Sequence, residues 1–164
     1  MSKNGPADEA DISAQDLADL SKVVGNHFSI VHPQVGCNET TLHGDYQMLR
    51  LHSGLSVHTS DATALRDMTT IVEQQPGMTV LIFLAGTVDA AIGGMPLDVG
   101  RSGDEPVQGV MVSRARPDKF VRHTRKGDRV RKVNVTITPK WLNECVFENR
   151  EEGDALLQFQ ETHL

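Results

Sequence analysis

Between residues 46 and 137, apolar and polar positions alternate in short runs, the period-two signature of strands. The runs are 46–52, 55–60, 78–85, 88–92, 95–99, 107–113, 119–123 and 129–137. Turn chemistry separates them: Ser53-Gly54, Gly86, Gly93-Gly94, "GRSGDEP" (100–106), "RARPD" (114–118) and "RKGD" (125–128). The run "MTVLIFLA" (78–85) is almost continuously apolar and rich in branched residues. That pattern predicts a strand buried on both faces, with Gly86 breaking it. Residues 61–76 are polar and end in Pro76-Gly77, which predicts a loop with at most a helical turn. Residues 26–45, interrupted by Pro33, Gly36 and Asn38, predict turns with short strands. About eight strands at near-regular spacing, with no crossover helix, predict a mainly β chain closed as a small barrel or sandwich. A doubly wound parallel fold is excluded on the same ground.

Helical period occurs only near the two ends. Ile12, Leu17, Leu20 and Val24 fall roughly on one side of a short helix, with Ser13 as its cap and Gly25 as its stop. Residues 1–10 predict a disordered stretch, so 1–25 reads as an acidic leader with a short helix, and 26–138 as the barrel. In "RKVNVTITPKWL" (131–142) the alternation of Val133, Val135 and Ile137 gives way to Thr138, a good N-cap, and Pro139, favoured at the first helical position. Trp141, Leu142, Cys145 and Val146 then share one helical side. A second helix is expected after Gly153-Asp154, with Leu156, Leu157, Gln160, His163 and Leu164 as its stripe. Residues 139–164 thus form a C-terminal helical segment whose pattern is still helical at Leu164.

Composition narrows the class. A chain of 164 residues with 38% apolar content fits one globular domain. A formal charge of -6 argues against generic nucleic-acid binding by this chain. The two cysteines, Cys37 and Cys145, form no paired motif, and Cys145 on an apolar helical side reads as buried and inert. With no secretory signal and no apolar run long enough to span a bilayer, the expectation is a cytoplasmic protein with no membrane partner. The charge is uneven: ten Lys or Arg residues lie between Arg101 and Lys132, against Asp104, Glu105, Asp118 and Asp128. That balance reads either as a solvated face or as a rim that attracts an anionic ligand.

Catalytic signatures are missing. No His-x-His pair occurs, so the usual metal ligand set of a jelly-roll barrel is not expected. There is no nucleophile elbow, and "IGGMP" has the context of a turn rather than a phosphate loop. No catalytic residue, metal or cofactor is therefore assigned. Binding remains, since a small barrel can enclose one small ligand. Candidate wall residues are Phe83, Met95, Met111, Phe120 and Trp141, with Arg122 to answer an anionic group. The apolar ones equally suit a plain core.

"GMTVLIFLAGTVDAAIGG" followed by "RKVNVTITPKWL" resembles the N-terminal sensor domain of AraC-type transcription regulators, most closely the siderophore-responsive branch. "LRLHSGLSVHTSD" (49–61) is similar to that family's paired strands. The resemblance covers about residues 45–145 and implies a cupin-like barrel. It further implies a homodimer through the C-terminal helices and a small-molecule effector, in that branch an iron-siderophore. DNA would be bound only by a C-terminal domain, for which no residues remain after Leu164, so the expectation is a sensor cut off before its DNA reader. The alternatives are a free-standing cupin-like metalloenzyme and a pure interaction module.

Overall fold

A computed structural model describes residues 9–146 and 150–162, with side chains described for 9–144 and 154–162. The chain runs β1 (Ala10–Ser13), α1 (Ala14–Ser21), β2 (Gly25–His32), β3 (Thr40–His52), β4 (Leu55–Ala64), β5 (Met68–Gln74) and β6 (Gly77–Ile92). It continues through β7 (Met95–Arg101), β8 (Gln108–Arg114), β9 (Asp118–Thr124), β10 (Arg129–Ile137), α2 (Pro139–Val146) and α3 (Arg150–Glu161). Every strand pairing is antiparallel. One sheet has the order β1-β3-β4-β10-β6-β8, and the other β2-β5-β9-β6-β7. β6 belongs to both. Its first half pairs with β8 and β10, and its second with β7 and β9. The result is a curled, cupin-like small β-barrel with helices at the C-terminal end.

The bend in β6 falls at Gly86, whose φ is 80°. A Cβ there would lie 2.0 Å from the Arg129 carbonyl oxygen, so only glycine fits. Gly86 therefore turns the strand without ending it, contrary to the sequence expectation. The expectation that 78–85 is buried on both faces also fails. Met78, Leu81 and Phe83 are buried, but Ile82 is 36% exposed on the outer face. The polar stretch 61–76 is strand rather than loop: β4 runs on to Ala64, and β5 follows after a three-residue break. Residues 25–32 and 40–45, where only turns and short strands were expected, belong to the longer β2 and β3.

These misreadings share a cause. On β4 the buried positions are Ser56, His58, Ser60, Ala62 and Ala64, while on β5 Met68 and Val72 are buried with the half-buried Thr70 between them. Period two is present, but on β4 its inward set is small or polar and on β5 Thr70 interrupts the two apolar positions, so hydrophobicity alone does not reveal it.

Two clusters hold the barrel. One gathers Leu81, Phe83, Val88, Ala90, Ile92, Val99, Val112 and Val130. The other joins Ile12 and Leu17 to Leu42, Ala62, Ala64 and Met68. Thus β1 and α1 pack on the barrel. Ser13 caps α1 through a reciprocal bond pair with Asp16, and the helix ends at Lys22 before Gly25 opens β2.

The C-terminal helices attach to strand ends. Thr138 N–H donates to the Gly54 carbonyl at 2.8 Å, which ties the start of α2 to the β3–β4 hairpin. Leu142 is buried, and the Ser113 hydroxyl donates to the Gln160 carbonyl of α3 at 3.1 Å. The readings for residues 1–8, His163 and Leu164, and for the Cys145 and Val146 side chains, lie outside what is described.

Candidate functional site: a cationic cavity inside the barrel

The inward register of the first sheet places Tyr46, Ser60, Lys132 and Phe83 in one cross-strand row. The next row is Met48, His58, Asn134 and Leu81. On the second sheet, Arg122 lies between Thr70 and Ala90, and Phe120 between Val72 and Ile92. Both sheets wall a cavity of about 110 Å³, which takes in Tyr46, His58, Phe120, Arg122, Lys132 and Asn134. Arg114 from the end of β8 and Leu17 and Ser21 from α1 also line it.

The electrostatics are one-sided. His58, Arg114, Arg122 and Lys132 all line the cavity, and among the described residues no Asp or Glu does. Lys132 is 5% exposed, with its ammonium 5.9 Å from the Phe83 ring centroid. Burial, reinforced by the Arg122 charge, pushes its pKa from 10.5 down to about 7. Burial also lowers the pKa of Arg122, against weaker opposing effects from Tyr46 and Asp128. His58 is driven well below its usual value by burial, then by Lys132 and Arg122, so its ring is neutral at pH 7. Its Nδ1 lies 3.3 Å from Asn134 Nδ2 and its ring 4.5 Å from that of Tyr46, between centroids. With Asn134 donating to Nδ1, the ring proton sits on Nε2.

That Nε2 is buried without a partner, as are Nε of Arg122, Nη1 of Arg114 and Oδ1 of Asn134. Arg114 is otherwise engaged, donating from Nε to the Gln75 carbonyl at 3.3 Å and from Nη2 to Thr79 Oγ1 at 3.0 Å. Burial lowers its pKa to about 10, partly opposed by Asp118. Buried polar groups in folded proteins are nearly always satisfied, so several unpaired donors and acceptors around one space call for a ligand or water to complete them.

The candidates from sequence divide. Phe120 and Arg122 are in the wall. Phe83 is fully buried in the adjoining core, below Lys132. Met111 is 45% exposed, because it pairs with Val80 on the outward parity of β8, between the inward Val110 and Val112. Met95 is 44% exposed at the tip of the β6–β7 hairpin. Trp141 is half-buried in α2 beside Gly54, away from the cavity. Sequence reasoning missed Lys132, His58, Asn134, Tyr46 and Arg114. Lys132 and Asn134 carried a readable signal, since they share a parity with Val130 along a strand. Among the described residues, no group of three His, Cys, Asp or Glu side chains could hold a metal ion. No described helix is long and apolar enough to cross a membrane.

The family described as "Regulatory protein PchR N-terminal domain" matches residues 43–164. No curated protein matches the chain in sequence. Among solved structures, the cupin domain of Schizosaccharomyces pombe Cnp3 is 10% identical, with a TM-score of 0.44, over 65% of this chain and 72% of its own. The structure of KdgF from Halomonas sp. is also 10% identical, with a TM-score of 0.27, over 57% of this chain and 86% of its own.

Proposed function

The chain belongs to the family of PchR-type regulatory N-terminal domains, and from that premise we propose that it is the effector-sensing part of a transcription regulator. A small molecule binds inside the barrel and alters how α2 and α3 sit on it. The helices relay that change to a DNA-binding domain elsewhere in the regulator, and they pair with those of a second copy in a homodimer. The supporting observation is the cavity with its unpaired buried donors. The chain leads from that cavity to the helices by two short paths. On β10, Thr136 in the wall is two residues from Thr138, which starts α2. On β8, Arg114 in the wall adjoins Ser113, which holds α3. A ligand works this device only through unequal affinity for two arrangements of the helices.

Siderophore chelates, the effectors that the family resemblance implies, are drug-sized and need a pocket of roughly 300–1,000 Å³. The cavity of about 110 Å³ suits something smaller, and a chelate would require the barrel mouth to open. A thermal-shift screen that includes iron-loaded and iron-free siderophores tests the reading, since a ligand selective for the folded state raises the melting temperature. Sedimentation with and without α3 tests the dimer.

A further inference from the structure

Resting on the sensing reading, we propose that the effector site is an anion site: it takes a small organic monocarboxylate, about the size of one aromatic ring, clamped between Lys132 of one sheet and Arg122 of the other. Three observations converge. The cavity is lined by cations from both sheets and by no carboxylate, so an anion is the ligand chemistry that balances it. Nε of Arg122 and Nε2 of His58 are buried donors without partners, while a carboxylate offers acceptor oxygens only. The remaining wall is largely apolar, with Leu81, Ile92, Leu97, Val112 and Phe120, and this fits a hydrocarbon body rather than a bare inorganic anion. Size sets an upper bound of one ring: an apolar cavity of about 150 Å³ is known to hold benzene, and this one, at about 110 Å³, is smaller and must widen at its mouth to seat the carboxylate as well.

Binding should be linked to a proton. On the cavity side, the titratable or polar groups around Lys132 are Tyr46 of β3, His58 of β4, Asn134 of β10, Arg122 of β9 and Arg114 of β8, while Glu9, Asp45, Asp61 and Ser60 share a separate pocket with Lys132. None of the cavity-side groups is acidic near neutrality, and burial together with the Arg122 charge holds Lys132 near its midpoint at pH 7 in the free cavity. A bound carboxylate restores the charged form, so the complex takes up a proton. Below pH 7 affinity is at its maximum, and above it affinity falls by up to about tenfold per pH unit until the pKa of the complex is reached.

Isothermal titration of the chain with benzoate and its neutral isostere benzamide is the test, alongside acetate and inorganic phosphate. We expect benzoate to bind at least about tenfold more tightly than benzamide, with proton uptake at pH 8 read from buffers of different ionisation enthalpy. Lys132→Met and Arg122→Met, each checked for a native melting transition, should lose that preference, and Lys132→Met should also lose the proton uptake. Equal binding of benzamide, undiminished benzoate binding by a folded variant, or no carboxylate binding at all would overturn the proposal. Benzamide or another neutral compound binding in the cavity would in that case leave the sensing reading standing. A barrel that binds nothing in the wider thermal-shift screen would remove both.

Discussion

On β6 the inward residues Phe83, Val88 and Ala90 close into a packed core, with Leu81 and Ile92 at its boundary with the cavity. On β4 and β10 the inward residues His58, Lys132, Asn134 and Thr136 line the cavity. Backbone pairing is continuous in both places apart from one register shift at Arg131/Lys132, so side-chain volume and polarity decide whether the barrel is solid or hollow. The packed side gains hydrophobic burial. The hollow side holds unpaired polar groups, each costing about 1–3 kcal/mol. A local violation of packing rules inside a consistent fold is the usual mark of a functional site.

The contrast can be broken from the packed side first. Phe83→Ala should lose about 3–5 kcal/mol, because the site is sealed and can relax little; denaturant unfolding reads this directly. Gly86→Val attacks the bend that lets β6 serve both sheets. Its cost should reach about 3 kcal/mol, the upper end of the range for backbone strain, with the melting temperature as readout. Ser113→Ala should cost only about 1 kcal/mol. Its effect should concentrate in faster amide exchange of α3, leaving the barrel strands protected. A loss of protection spread evenly over the barrel would contradict the assignment of Ser113 as a local tether of α3.

Legibility in the sequence followed the same divide. Where inward residues are large and apolar, as in β6 and β8, alternation located the strands. The Thr138-Pro139 helix start and the Ser13 cap were also readable, because capping is local chemistry. The end of β4 was lost because its inward residues, Ala62 and Ala64, are small, and β5 because its two apolar inward residues, Met68 and Val72, have Thr70 between them. The site was hidden for a related reason. A buried lysine cannot be told from a solvated one in a single strand, since inwardness is set by partners such as Ser60, seventy-two positions away. Arg122 and Phe120 have types that suit a binding wall and line the cavity, whereas Met95 and Met111 suit one equally and lie on the surface.

Lys132 is held inside the barrel with no counter-ion among the described residues. Its pKa of about 7 lies far below the ordinary 10.5. Between those values the unfolded chain keeps the proton and the folded chain does not. Stability therefore rises with pH across this window, by up to about 1.4 kcal/mol per unit, and falls as pH drops towards 7. The direct measurement is the difference in unfolding free energy between Lys132→Met and the wild type from pH 7 to pH 9. The account predicts a variant about 1–4 kcal/mol more stable at pH 7, with the gap narrowing steadily as pH rises. A gap that does not change with pH, or a variant less stable than the wild type throughout, would contradict it.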